Sequence, residues 1–237
     1  IKAIFNNIAA IGTDNNNAFA IPDIPSTQHD CYYFTNNHTM IQKLQNTRWK
    51  TVFIDFQSTD DIIENNMMAK HVKALPHEYE ELRSYEYLVY MDSKLSKINE
   101  GFVNGAIECL FVSNNYAIAM REHWMCQDRA ENEKENVWKE FSLAVTSQER
   151  YKRQEAQYSD YITRQCKSGL SNLSYSHCMT GIIIRNMKHA KIKQIDYTWY
   201  AHILDCGIEC QISFFFVKQL FEKMVYSFRD NPFLNSY

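Results

Sequence analysis

The stretch Tyr85-Glu86-Tyr87-Leu88-Val89-Tyr90-Met91-Asp92-Ser93-Lys94-Leu95 decides how this chain is read. It begins as a β-branched and aromatic run, the composition of a buried strand. It ends on an acid, a small polar residue and a lysine. A carboxylate at the C-terminal end of a buried strand has a physical use, because open α/β sheets bind ligands in the crevice outside the carboxyl ends of their strands. An oxygen ligand there can hold a hard divalent cation, which in turn holds phosphate oxygens. Asp92 also suits a turn, or the N-cap of a following helix.

Around this stretch the sequence reads as alternating short strands and helices. Upstream, Ile1 to Phe5, Asp30 to Thr35 and Trp49 to Asp55 are apolar runs without a consistent two-residue alternation, which suits a sheet covered on both faces. Asp60-Asp61 supplies helix-start chemistry for Ile62 to Leu75, and Pro76 ends that helix. Lys70 and Lys73 lie three apart and so share a face. That face is either a solvated basic edge or a phosphate-facing one, since the helix runs directly into the strand ending at Asp92. Downstream, Ser96 to Cys109 reads as a helix, and Leu110 to Val112 and Tyr116 to Met120 read as strands. Asp128 to Gln165 is charge-rich and helical, with Trp138, Phe141, Leu143 and Val145 as apolar anchors and a solvated outer face. Thr180 to Arg185 is a strand, and Ile192 to Leu204 and the segment opened by Glu209 are helices. The expectation is a single α/β domain in two unequal halves, 1–95 and 96–237.

Composition narrows the function. The 237 residues carry a net charge of -3 and are 45% hydrophobic. No global basic field exists, which argues against a nucleic-acid coat despite 14% aromatic residues. With six glycines there is no GxGxxG and no GxxxxGK[ST] phosphate loop. The seven cysteines form no CxxC pair, and only Cys206 and Cys210 have a helix-face spacing. They read as free thiols of a reducing compartment. No apolar run approaches the roughly 20 residues of a membrane span, and no signal peptide is visible. The expected location is therefore cytoplasmic. His123, His189 and His202 are each structural histidines or single metal ligands.

The order of segments resembles a family of GT-A-type glycosyltransferases, once known only as a domain of unknown function, with members in plants, bacteria and large algal viruses. The residues that carry the resemblance run through nearly the whole chain. They are Ala3-Ile4-Phe5, Tyr33-Phe34-Thr35-Asn36-Asn37, Leu75-Pro76-His77, Met91-Asp92-Ser93-Lys94, Arg121-Glu122-His123, Thr180-Gly181-Ile182-Ile183-Ile184-Arg185 and Glu209-Cys210-Gln211-Ile212-Ser213-Phe214. The family has FTDN, LPH, WxDGK or WxDAS, a His-Pro segment, TGxxIR and RDQxSF in this order. For a viral member the cytoplasm would be that of the host.

The resemblance implies a GT-A-like (Rossmann-like) mixed central sheet flanked by helices, and transfer of a sugar from a UDP-sugar to a glycan or glycoprotein hydroxyl. It places Ala3, Phe5, Thr35 and Asn36 beside the uracil and ribose, Lys70 and Lys73 on the donor side, and Asp92 with Ser93 on Mn2+ or Mg2+ and the donor diphosphate. His123, Thr180, Gly181 and Gln211 fall on the acceptor side. Three positions depart from the family: Asn36 stands where it has Asp, Lys94 takes the third place of the acidic DxD motif, and Cys210 replaces the Asp of RDQ. Glu209, with Asp205 behind it, is then the candidate general base of an inverting reaction. A retaining reaction needs no such base. The competing reading is a non-catalytic nucleotide-sugar or glycan-binding protein on the same fold.

Overall fold

The computed structural model describes residues 2–7, 29–92, 100–123, 134–174 and 177–229. Strands β1 (Lys2–Asn7), β2 (Asp30–Thr35), β3 (Trp49–Phe53), β4 (Tyr87–Asp92), β5 (Ile118–Glu122), β8 (Cys178–Asn186) and β9 (Val225–Phe228) form one sheet in the order β3-β2-β1-β4-β8-β5-β9. β6 (Glu135–Asn136) and β7 (Leu173–Ser174) make a separate two-stranded ladder. The four strands from β3 to β4 are mutually parallel, β8 is antiparallel to both neighbours, and β9 is parallel to β5. One sheet thus runs through both halves of the chain, and it is the mixed, helix-flanked sheet that the resemblance implies.

The decisive stretch behaves as its composition requires. Side chains alternate across a strand, and β4 sends Leu88 and Tyr90 into one core and Val89 and Met91 into another. The first core lies under helices α2 (Ile62–Ala74), α7 (Ile192–Cys206) and α8 (Cys210–Leu220), with Val72, Trp199 and Phe214 buried in it. The second lies under α1 (His38–Leu44) and α3 (Glu100–Ala106), with Met40, Leu44 and Val103. Both faces are therefore covered, and apolar residues stand at consecutive positions.

Two readings of local structure are corrected. Leu110 to Val112 is not a strand; α3 continues as a π-helical turn over Ile107–Val112, which buries Ile107, Leu110 and Phe111. A short apolar run fits a buried strand or a buried helical turn equally, and packing decides. The charge-rich segment is not one outer helix. It divides into α4 (Val137–Ser147), α5 (Glu149–Lys152) and α6 (Glu155–Lys167). The buried residues of α4 are Val137, Glu140 and Ala144, while Leu143 is exposed.

Gly207 turns the chain from α7 into α8. Its φ of +116° and ψ of -171° lie in a region that only glycine adopts readily. A Cβ there would stand 2.8 Å from Gln154 Oε1 and Tyr158 Cε1. That same Gln154 oxygen accepts from the Ile208 amide at 2.9 Å and from the Tyr158 hydroxyl at 3.0 Å. Gly207→Ala is expected to cost about 2 kcal/mol or more, from backbone strain and the displaced hydrogen bonds. A thermal melt checks this, and an unchanged midpoint would contradict the turn described.

Candidate active site

The carboxyl edge of the parallel strands gathers the site. The register of β1 with β4 sets Asn7 level with Asp92, and that of β1 with β2 sets Asn7 level with Phe34. β8 runs antiparallel to β4, so its first residues arrive where β4 ends; β5, antiparallel to β8, ends there too. The β5–β8 register breaks at this edge. Met120 pairs with Ile183, but Arg121 pairs with Met179. Thr180, Gly181 and Ile182 therefore bulge away from β5, a device that re-aims side chains beside a site.

The edge opens into a cleft of about 770 Å³, within the usual range for small-molecule sites of roughly 300–1,000 Å³. Lys70 and Lys73 of α2 and Asp92 of β4 line one wall. Thr180 and Gly181 of the bulge form the floor, with Arg121 and His123 at the end of β5. Glu209, Cys210 and Gln211 close it at the start of α8, and Glu140 and Tyr151 face them from α4 and α5.

On the first wall, Lys73 is 2% exposed. Its Nζ stands 3.4 Å from Asp92 Oδ1 and 3.2 Å from Thr180 Oγ1, and 4.9 Å from the centre of the Tyr90 ring. The Tyr90 hydroxyl donates to the same Asp92 oxygen at 2.6 Å. Burial and the Asp92 charge keep that phenol firmly protonated. Lys70, one helical turn earlier, is half-buried. Burial disfavours its charge, and the nearby carboxylates of Glu209 and Asp92 help to outweigh burial.

Across the cleft, Glu209 caps α8 by accepting from the Gln211 amide at 3.0 Å. Burial, and then the Glu140 charge, raises its carboxyl above the ordinary glutamate value; Lys70 and the Tyr151 hydroxyl oppose this without cancelling it. Glu140 is drawn the other way. Burial would raise it, but the His177 and His123 rings that face it and a hydrogen bond from Gln211 bring it below the usual value. Gln211 Nε2 donates to Glu140 Oε1 at 2.6 Å, and the His123 and His177 Nε2 atoms lie 3.5 and 3.6 Å from Glu140 Oε2. Burial and the neighbouring His177 depress the His123 pKa to about 4, so its ring is neutral at physiological pH.

The cleft thus brings together eight of the residues named from sequence: Lys70, Lys73, Asp92, His123, Thr180, Gly181, Glu209 and Gln211. The others stand elsewhere. Asp205 is exposed on the outside of α7, paired with Arg164 at 2.5 Å, so it does not stand behind Glu209. Thr35 is fully buried and its hydroxyl accepts from the Asn37 amide at 3.0 Å. Asn36 donates to the Phe56 carbonyl at 2.9 Å and to Ser58 Oγ at 2.8 Å, pinning the loop after β3. Ala3 and Phe5 are placed by register between β2 and β4. Ser93, like Lys94 and Cys126, lies outside the described residues. His189 and His202 are structural, facing the Lys191 amide and the Tyr161 hydroxyl. Cys206 and Cys210 share no helix face, because Gly207 separates their helices.

Glu140 and Tyr151 were missed because their segment reads as a solvated helix. One signal was present. Val137, Glu140, Phe141 and Ala144 follow the i, i+3, i+4, i+7 spacing of a buried stripe, so Glu140 is a charge set on an apolar face.

The resemblance implies Mn2+ or Mg2+ at Asp92. Among the described residues no group of three or more His, Cys, Asp or Glu side chains is arranged to hold a metal ion. Asp92 brings one carboxylate, and its Oδ1 already faces an ammonium and a phenol. This is a poor donor set for a metal held by the protein alone: an ion at Asp92 would draw most of its octahedron from substrate phosphates and water.

No protein-family model matches the chain, and no curated protein does. Among solved structures it is similar to the apo form of mouse xyloside xylosyltransferase 1, at 9% identity and a TM-score of 0.43 over 84% of this chain and 71% of that one. It is also similar to the apo bifunctional glycosyltransferase WbbM, at 12% identity and a TM-score of 0.45 over 96% of this chain and 38% of that one. Likeness at this distance leaves the activity to be argued from the site. No helix among the described residues is long and apolar enough to cross a membrane.

Proposed function

We propose that the chain is a glycosyltransferase that moves a sugar from a nucleoside-diphosphate donor, a UDP-sugar in the first instance, to a hydroxyl of a glycan. One observation carries the reading. A single cleft at the carboxyl edge of the sheet is lined by two lysines and by a buried carboxylate of raised pKa. Transfer to a hydroxyl asks for both. The acceptor oxygen attacks the anomeric carbon, the bond from that carbon to the phosphate oxygen breaks, and the electron pair leaves on the nucleoside diphosphate. Lys70 and Lys73 stabilise the charge that develops there. The acceptor proton passes to Glu209, a base poised closer to neutrality than a free glutamate. On this reading the course is inverting. Glu140, Gln211 and His123 form the acceptor wall, where a carboxylate, an amide and a neutral imidazole suit the hydroxyls of a sugar.

The test is a panel of nucleotides and nucleotide sugars, with and without Mn2+, scored by melting temperature and by released nucleotide. A nucleotide at a hundred times its Kd stabilises by about 2.7 kcal/mol. In a chain of this size that is roughly 5–10 °C. If no nucleotide shifts the melt in either condition, the transferase reading falls.

A further inference from the structure

We propose that the cleft carries its cation built in: the Lys73 and Lys70 ammonium groups stand in place of a divalent metal against the donor diphosphate. The inference rests on the transferase reading and deepens it. Two ammonium groups one helical turn apart carry the same charge as one Mn2+ or Mg2+ ion. Beside the two lysines, the acid at this edge among the described residues is Asp92. There the Oδ1 atom already faces Lys73 Nζ at 3.4 Å and the Tyr90 hydroxyl at 2.6 Å, and a divalent ion on that carboxylate would meet the buried ammonium as a like charge.

Lys73 is built as a fixed cation rather than a wandering surface lysine. Nearly all of it is buried. Asp92 and Thr180 hold two of its three N–H donors, the Tyr90 ring lies against it, and the Arg185 guanidinium donates to its backbone carbonyl at 2.9 Å. Its third N–H has no hydrogen-bond partner among the described residues, and the residue lines the cleft. Lys70 Nζ makes no hydrogen bond or ion pair with a described residue, lines the same wall, and sits in a negative field that keeps it charged. Asp92 then works as the counter-ion that holds Lys73 in place, and Lys94 at the third position of the motif removes no needed ligand.

The experiment is calorimetric titration of the full chain with UDP, in excess EDTA and again in Mn2+. The expected result is a Kd in EDTA within about twofold of that in Mn2+, falling affinity as salt rises, and a loss of about tenfold or more in EDTA for Lys73→Met and for Lys70→Met. Lys73→Met removes a buried group and can misfold, so melts without ligand accompany it. The half-buried Lys70→Met keeps the test decisive. UDP binding that appears only with Mn2+ and disappears in Asp92→Asn overturns the inference and leaves the transferase reading standing. UDP binding in neither condition overturns both.

Discussion

Glu209→Gln is expected to lower turnover by about 10²- to 10⁴-fold, while the protein melts no lower at neutral pH than the parent. The two halves of this result come from one side chain. As a base, Glu209 must be ionised to accept the acceptor proton, so the parent's rate should climb with pH through its raised pKa. Gln has no such limb. As a cap, the side chain needs only an acceptor oxygen for the Gln211 amide, and the Gln amide carbonyl supplies one. The stability sign follows from the same shift. A carboxyl whose pKa is raised by folding contributes stability that is complete below its unfolded value and lost as pH rises through the folded one. The Gln variant lacks that loss, so its melting temperature should gain on the parent's as pH increases. Glu140 adds a control. Its charge is one cause of the raised Glu209 value, so Glu140→Gln should move the rising limb of the rate profile to lower pH. Unchanged turnover in Glu209→Gln would remove it as the base.

The sheet and one wall of the cleft were legible in the sequence because local chemistry fixes them. The run from Tyr87 to Met91 lacks polar alternation because both of its faces are covered. Lys70 and Lys73 share a face by spacing alone, and Glu209 sits where a helix must be capped. What was not legible depends on contacts distant in sequence. Asp205 precedes Glu209 by four residues, and continued helix would stack the two; the turn at Gly207 instead leaves Asp205 pointing at Arg164. The bulge that presents Thr180 and Gly181 arises from how β8 meets β5, which neither segment encodes alone. Spacing alone leaves Lys73 on either a solvated or a phosphate-facing edge; its burial follows only once Asp92, Tyr90 and Thr180 are folded around it.

Arg185→Met is expected to destabilise the protein by about 3–5 kcal/mol, the usual effect of stranding one partner of a buried ion pair. For a chain of this length that is a fall in melting temperature of roughly 6–20 °C. Arg185 and Asp196 are both fully buried, with Nε to Oδ1 at 3.0 Å. The guanidinium also lies 6.0 Å from the centre of the Trp199 ring, and His77 Nδ1 approaches the second Asp196 oxygen at 3.5 Å. Methionine fills much of the volume but leaves Asp196 charged in an apolar core. The double variant Arg185→Met with Asp196→Leu removes that charge as well, and most of the lost stability should return, because replacing a whole buried pair by apolar groups is often neutral. Nucleotide binding should not return with it. Arg185 is also the donor to the Lys73 carbonyl at 2.9 Å, so both variants leave the last turn of α2 less firmly held and Lys73 less exactly aimed. Melting temperature and UDP affinity should therefore separate in the double variant, with stability near the parent's and Kd still raised. Recovery of both together would mean that Arg185 serves the core alone and that the cation wall of the cleft is positioned by Asp92 and Thr180 without it.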